Sequence, residues 1–163
     1  MRFVYPQGKR KALTFSYDYG QDFDRRLAGL LRDHGMKGTF HLNSGNLGLH
    51  RGREVFVSAS EIPEVYQGHE VACHGVWHRN PPTITRQQMV LEIQEDRKAL
   101  EKITGGLVQG MSYAFGNYNR EIMEIARSLG IRYSRTVQET GNFFPPSDFL
   151  EWHPTCHHNN HLL

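Results

Sequence analysis

The alternation of strand-like and helix-like patterns is the feature that most constrains the fold of this chain. Short apolar runs typical of strands occur at 11–17, 37–43, 69–74, 107–115, 131–137 and 149–158. Apolar residues at helical spacing occupy most of the intervals between them, and Ser58, Thr85 and Asn119 stand at capping positions. Strands and helices in strict alternation predict parallel strands joined by right-handed crossovers.

Polar and turn residues follow the predicted strands at their C-terminal ends. Asp18, Asn43, His74, Phe115 and His157 all stand there, at the face where a β/α barrel keeps its active site. No glycine-rich loop for a dinucleotide or a phosphate follows any strand. An ordinary eight-stranded barrel takes about 250 residues, so this chain predicts an incomplete or distorted (β/α) barrel with about six βα units.

Length and charge exclude several classes of protein. The chain has 163 residues and a formal net charge of +2, which fits a single domain over 1–163. Lys and Arg are spread along the sequence, so we expect no nucleic-acid partner. No apolar run approaches the roughly 20 residues of a membrane helix, and the N-terminus lacks the apolar core of a signal peptide. We therefore expect no membrane partner and a cytoplasmic location.

Histidine is abundant, with ten residues in all. His74 and His78 are four residues apart, a spacing that brings two imidazoles to one side of a turn of helix. Neutral imidazoles at this spacing can occupy two corners of a divalent-metal site. With Asp18 at the end of another strand, these two histidines are the best candidates for such a site. His69, at the start of its strand, is expected to be structural.

Three segments, taken in order, resemble the motifs of the polysaccharide deacetylase family, the NodB-like carbohydrate esterases with a seven-stranded barrel. These segments are SYDYG at 16–20, GHEVACHGVWH at 68–78 and MSYAFGNYN at 111–119. The likeness covers nearly the whole chain and is greatest to a bacterial branch whose first motif reads Ser-Tyr-Asp-Asp-Gly. Several motifs in register identify the chain as a member of this family.

The resemblance implies metal-assisted hydrolysis of N- or O-acetyl groups on a carbohydrate substrate. Asp18 takes the place of the general base that deprotonates a water on the metal, and His74 and His78 take the places of two metal ligands. The expected cofactor is a divalent metal, zinc first, with cobalt, nickel or manganese as alternatives. The backbone N–H of Phe115 is the expected oxyanion donor.

The sequence departs from the family pattern at Tyr19 and in the third motif, where Ala114 replaces the usual Pro. Tyr19 stands where the family has its second Asp, a metal ligand, and a neutral phenol is a poor ligand for zinc. Asp18 could then serve as a ligand itself, Asp22 or Asp24 could replace the missing carboxylate, or the metal could be weakly bound or absent. Ser112 stands where many members have an Arg that orients the base.

Several residues are candidates for contact with the sugar, because aromatic faces pack on pyranose rings and polar groups bind hydroxyls. The alternative for each aromatic is packing in the core. The candidate substrate-binding residues are Tyr19, Asn43, Trp77, Tyr113 and Trp152.

The C-terminal segment raises the question of the general acid. In the family, a later motif supplies a histidine for this role, and here the chain stops before it. His157 or His158 is the candidate replacement, and the domain is expected to lack its last βα element. Unpaired strand edges would result, so a homo-oligomer is expected. The alternatives to an active deacetylase are a silent carbohydrate-binding relative and a metal-independent amide or cyclic-imide hydrolase.

Overall fold

The computed structural model describes residues 5–161. Its strands are β1 (Phe15–Tyr19), β2 (Gly38–Leu42), β3 (His50–Arg51), β4 (Glu54–Val55), β5 (Glu70–Cys73), β6 (Gly110–Ser112) and β7 (Tyr133–Arg135). Its α-helices are α1 (Phe23–Asp33), α2 (Ile62–Val65), α3 (Arg86–Thr104) and α4 (Arg120–Ser128). Five of these strands form one parallel sheet in the order β1-β2-β5-β6-β7, and β3 pairs with β4 separately. The predicted parallel sheet is thus confirmed.

The five-stranded sheet curls into a half-barrel. Arg135 on the last strand, β7, reaches Ser16 and Asp18 on the first strand, β1. The two edge strands therefore face each other across the open side of the curl. This architecture confirms the incomplete (β/α) barrel that the sequence predicts.

The two faces of the sheet differ in character, because successive residues of a strand point to opposite sides. The outer face is apolar and packs against the helices in a core that includes Phe40, Leu42, Cys73, Ile93, Leu100 and Met111. The inner face is polar and carries Ser16, Asp18, Thr39, His41, Ser112 and Arg135. A closed β/α barrel fills its interior with bulky apolar side chains instead.

Helices α3 and α4 begin where the capping signals predict, whereas α2 begins at Ile62 with Glu61 at its N-cap and not after Ser58. The Thr85 hydroxyl accepts the Gln88 N–H while the Gln88 side chain accepts the Thr85 N–H, and Asn119 accepts the Ile122 N–H at 2.9 Å. Helix α3 ends at Gly105, which has φ 70°, a left-handed conformation that glycine adopts at low cost. No helix in residues 5–161 is both long enough and apolar enough to cross a membrane.

The expected sixth strand at 149–158 is reduced to a single parallel bridge between Arg135 and Trp152. Two ladder bonds flank it, from the Trp152 N–H to the Ser134 carbonyl at 3.0 Å and from the Thr136 N–H to the Trp152 carbonyl at 2.9 Å. Residues 149–151 form a 3-10 turn instead of a strand. Pro154 follows two residues after the bridge and has no N–H with which to continue the ladder.

Candidate active site

Asp18 lies at the C-terminal part of β1 and points into the half-barrel. Its Oδ1 accepts a hydrogen bond from the Ser112 hydroxyl at 2.9 Å. Both of its carboxylate oxygens contact Nη2 of Arg135. Ser112 and Arg135 are direct register partners on β6 and β7, so two neighbouring strands hold one carboxylate on the opposite edge of the sheet.

The surroundings of Asp18 keep its carboxyl ionised. Burial acts to raise the pKa of Asp18, but His74, His41 and the guanidinium of Arg135 lower it more and hold it well below its usual range. Asp18 therefore carries a negative charge at neutral pH. A carboxylate in this state can accept a proton, although its low pKa makes it a weak base.

Arg135 is a residue that the sequence interpretation passed over. Its Nε donates to the Ser16 hydroxyl at 2.7 Å and its Nη1 to the Thr136 carbonyl at 3.0 Å, so the guanidinium is fixed while it contacts Asp18. Ser112 lies beside it in register on β6. The sequence feature that could have indicated this role is an arginine at an inward-pointing position of a short strand.

His74 follows β5 and is buried, with a relative exposure of 2%. Its Nδ1 lies 2.7 Å from the Ser112 hydroxyl oxygen and 3.0 Å from the Ser112 carbonyl oxygen. Because the Ser112 O–H donates to Asp18, which can only accept, we assign the proton of His74 to Nδ1. The Nε2 atom then carries a lone pair, and this buried atom has no hydrogen-bond partner among the described residues.

His78 packs beside His74, with ring centroids 4.6 Å apart. Its Nε2 is likewise buried without a partner in the described part of the chain. Burial lowers the pKa of His74, and burial together with the nearby His74 lowers the pKa of His78 to about 4. Both imidazoles are therefore neutral at neutral pH, which is the form that binds metal.

Tyr19 covers the histidine pair. Its ring meets His74 edge-on at 5.4 Å and His78 at 5.1 Å between centroids. Its backbone is left-handed, with φ 83°. Burial and the charge of Asp18 raise the pKa of the Tyr19 phenol, so the phenol is neutral at neutral pH.

The loop that carries the two histidines is fixed by buried polar groups. Asp96 on α3 accepts the His74 N–H at 3.0 Å and the Ser44 N–H at 2.8 Å. Glu92, one helical turn earlier, accepts the Trp77 N–H at 2.9 Å. Neither carboxylate was singled out in the sequence, because a charged residue within a helix usually faces water.

Asn43 serves this same loop. It is completely buried, and its side-chain amide donates to the carbonyls of His74 and Gly75 at 2.8 and 2.7 Å. The amide of Asn43 thus positions the loop inside the fold, and its contact with a sugar stays a prediction. The strand-end location was correct, but burial at this position is not readable from the local sequence.

The donor atoms present fit two corners of a divalent-metal site. Within residues 5–161, no group of three His, Cys, Asp or Glu side chains could hold a metal ion together. Asp24 does not replace the missing ligand, because its carboxylate is buried and accepts the Tyr66 hydroxyl at 2.8 Å. Asp22 completes no such group either. The two unpartnered Nε2 atoms of His74 and His78 would be the protein ligands of a bound ion.

Two aromatic side chains lie exposed near the histidines. Phe115 packs on His78 with ring centroids 4.4 Å apart and is 58% exposed. It stands in the turn Ala114–Gly116 with a left-handed φ of 58°. Trp77 is 48% exposed and lies against Gly45. Both side chains are accessible to a ligand, and the sugar contact predicted for Trp77 stays a prediction.

Two other predicted sugar contacts have structural roles. Tyr113 is 1% exposed, donates its hydroxyl to the Leu150 carbonyl at 2.8 Å and stacks on Tyr118. Trp152 is half-buried and packs edge-on against Phe149, with ring centroids 5.3 Å apart. Tyr113 thus takes the alternative role of a packed core aromatic, and Trp152 packs beside β7.

The structure does not bring His157 or His158 to Asp18. The two rings contact each other, and His158 also contacts Tyr17 at 5.9 Å. Tyr17 stacks on buried Phe40, so its ring lies on the outer face of β1, opposite to Asp18. The expected role of either histidine as general acid is therefore not supported, because the outer face is separated from the candidate site by the strand itself.

His41 is a further inner-face residue that the sequence interpretation missed. It is the register partner of Asp18 on β2 and is 1% exposed. Its Nε2 lies 3.3 Å from the Ser16 hydroxyl. Burial lowers the pKa of His41 to about 3, so its side chain is uncharged at neutral pH and lines the site. A histidine in the middle of a strand was the only signal.

Comparison with known structures gives the same fold in bacterial deacetylases. The Streptococcus pyogenes deacetylase PplD in complex with acetate aligns with a TM-score of 0.77 and 18% identity, over 89% of this chain and 64% of that one. A polysaccharide deacetylase from Bacillus cereus, BC0361, aligns with a TM-score of 0.75 and 21% identity, over 90% and 47%. This chain thus spans less than two thirds of the length of these relatives.

One further structural relative is described as inactive. BA3943 from Bacillus anthracis, a carbohydrate esterase family 4 pseudoenzyme, aligns with a TM-score of 0.60 and 21% identity, over 75% of this chain and 42% of that one. Comparison with curated protein sequences gives no match. The sequence profile described as polysaccharide deacetylase matches residues 5–134. The chain therefore belongs to the polysaccharide deacetylase family.

Proposed function

We propose that this chain hydrolyses N- or O-acetyl groups on a carbohydrate, with weak, metal-assisted activity. The observation that carries the proposal is the arrangement around Ser112. Its hydroxyl contacts both the ionised carboxylate of Asp18 and the Nδ1 atom of His74. A proton acceptor and a pair of imidazoles with free Nε2 atoms are thereby placed at the strand-end face of the half-barrel.

In this proposal Asp18 accepts a proton from the water as the water oxygen bonds to the acetyl carbon, and returns it to the amine or alkoxide that leaves when the C–N or C–O bond breaks. Arg135 and Ser112 fix the carboxylate, so little reorganisation accompanies the proton transfer. A divalent ion held by the Nε2 atoms of His74 and His78 would polarise the acetyl carbonyl. The backbone N–H of Phe115, in the left-handed turn beside His78, is proposed to stabilise the oxyanion.

The substrate is proposed to lie along the exposed aromatic side chains. Trp77, on the loop that carries the histidines, and Phe115, in the turn beside His78, offer accessible ring faces. Aromatic faces of this kind combine apolar contact area with a defined orientation. An acetylated oligosaccharide is therefore the proposed ligand class.

Free acetate released from acetylated chitin oligosaccharides and acetylated xylan tests this function. Release is measured with added Zn²⁺ or Co²⁺ and again with chelator. Asp18→Asn and His74→Ala should abolish release, and His50→Ala, which changes an exposed histidine on β3, should not. Release that is indifferent to chelator would instead indicate the metal-independent amide or imide hydrolase. Folded protein that releases no acetate from either substrate would contradict the proposed activity.

A silent carbohydrate-binding relative is the second candidate. Tyr19 over the histidine pair favours it, and BA3943 is an instance of an inactive protein with this fold. Binding of an acetylated oligosaccharide without turnover at any metal concentration would support this candidate. Trp77→Ala should then weaken binding, whereas Asp18→Asn should leave it nearly unchanged.

A further inference from the structure

We infer that Tyr19 alone separates the His74–His78 pair from a tight divalent-metal centre, so that the native chain holds a latent site that Tyr19→Asp completes. This inference concerns the same site as the proposed function, but it depends on metal affinity and not on turnover.

The two imidazoles are already arranged as ligands. The Nδ1 proton of His74 is directed to Ser112, which leaves Nε2 as the free donor atom. Metal-binding histidines commonly donate their second ring N–H in this way, which fixes the tautomer and the ring orientation. Seven buried side-chain polar atoms in residues 5–161 have no hydrogen-bond partner, and two of them, Nε2 of His74 and of His78, lie on adjacent rings.

The backbone at position 19 suits an aspartate better than the tyrosine that occupies it. Its φ of 83° is left-handed, a region in which Asp and Asn are enriched and bulky side chains are outliers. The Tyr19 ring lies against both histidine rings. A short carboxylate at this position would add the oxygen ligand that zinc accepts beside imidazoles and would remove the ring that covers them.

The neighbouring carboxylates are engaged elsewhere. Asp18 is held by Arg135 and Ser112. Asp24 accepts the Tyr66 hydroxyl, and Asp96 accepts two backbone N–H groups. Among the described residues, position 19 is therefore the place from which a third metal ligand would come.

The test compares Co²⁺ and Zn²⁺ affinity in native protein and in Tyr19→Asp, by titration calorimetry and by the visible absorption of bound Co²⁺. We expect Tyr19→Asp to bind more than about 100-fold tighter, since even outer-shell changes alter metal affinity by 10–100-fold. Tyr19→Asn, which suits the same backbone but carries no charge, should gain far less. Tyr19→Asp combined with His78→Ala should lose the gain.

Tyr19→Gly keeps the test informative if the aspartate variant does not fold. Glycine adopts the left-handed conformation freely, and added acetate can then supply a carboxylate to the exposed histidines. We expect Co²⁺ affinity in Tyr19→Gly to rise with acetate concentration, and native protein to show no such dependence. The inference would be overturned if native protein bound Zn²⁺ as tightly as Tyr19→Asp. It would also be overturned if folded Tyr19→Asp bound metal no more tightly than native protein, or if the Co²⁺ affinity of folded Tyr19→Gly did not rise with acetate. None of these outcomes depends on whether acetate is released from a sugar, so the two proposals fail separately.

Discussion

Arg135 on β7 contacts both carboxylate oxygens of Asp18 on β1, across the open side of the curled sheet. No backbone ladder joins these two strands, because they are the edges of the five-stranded sheet. One ion pair therefore has two consequences. It fixes the proposed base, and it ties the first strand to the last.

Replacing Arg135 by Met should destabilise the fold by about 2 kcal/mol, between the values typical of surface and of buried pairs. Both side chains are largely buried, and the variant leaves Asp18 without its cation. Urea denaturation checks this value. Arg120→Met is the matched control, since Arg120 pairs with Glu124 on an exposed helix surface, and its effect should be close to zero. An equal loss in both variants would contradict the dual role of Arg135.

Asp24→Asn should stabilise the protein at alkaline pH. Burial raises the pKa of Asp24 to about 6, from an ordinary value near 4. The folded state therefore holds its proton more tightly than the unfolded chain, and stability is lost as the pH rises from about 4 to about 6. An asparagine oxygen can still accept the Tyr66 hydroxyl. We expect a gain of about 1–2 kcal/mol at pH 8 that disappears near pH 4, measured by denaturation at both pH values.

Asp96→Asn should have the opposite effect, although burial also raises the pKa of Asp96 to about 6. Its two oxygens accept the backbone N–H groups of Ser44 and His74. The side-chain NH2 of an asparagine would replace one of these oxygens and would face a backbone N–H that is also a donor. We expect a loss of about 2 kcal/mol or more, the cost of an unsatisfied buried group. Stability that rises in this variant at pH 8, as in Asp24→Asn, would contradict the reading of Asp96 as a fixed acceptor.

Gly45→Ala should disturb the loop beneath Trp77. A Cβ at position 45 would lie 2.7 Å from both the Trp77 ring and the Val76 carbonyl oxygen, so the backbone has to move. We expect a loss of about 1–3 kcal/mol, as for overpacked sites, and weaker oligosaccharide binding. Gly29→Ala is the control, because nothing lies within 4 Å of a Cβ there and alanine in a helix should stabilise by about 1 kcal/mol.

Self-association is expected at the free edges of the sheet. Within residues 5–161, β1 pairs only with β2, and β7 has a single bridge beyond its pairing with β6. Unpaired strand edges invite pairing with another chain. Sedimentation velocity over a wide concentration range should show a fraction of dimer that increases with protein concentration. A single monomeric species throughout would count against the prediction.

The fold could be predicted from the sequence because its signals are local. Capping residues such as Thr85 and Asn119 mark where helices begin. The alternation of strand-like and helix-like segments along the chain predicts the parallel sheet. The placement of Asp18 and His74 at strand ends was predictable for the same reason. Arg135 was missed because its contact with Asp18 depends on how far the sheet curls. The burial of Tyr113 could not be predicted from its local sequence, because it depends on a contact with Leu150, 37 residues away.

Tyr19, His78 and Phe115 all have left-handed backbones, with φ of 83°, 56° and 58°, and their rings contact one another in sequence. Each such conformation costs a residue with a side chain about 1–2 kcal/mol, so the three together store several kcal/mol of strain at one place. The core beneath the sheet must hold these residues in place. The histidine pair is therefore sensitive to weakening of the core, and amide hydrogen exchange there should become faster in variants that destabilise the fold.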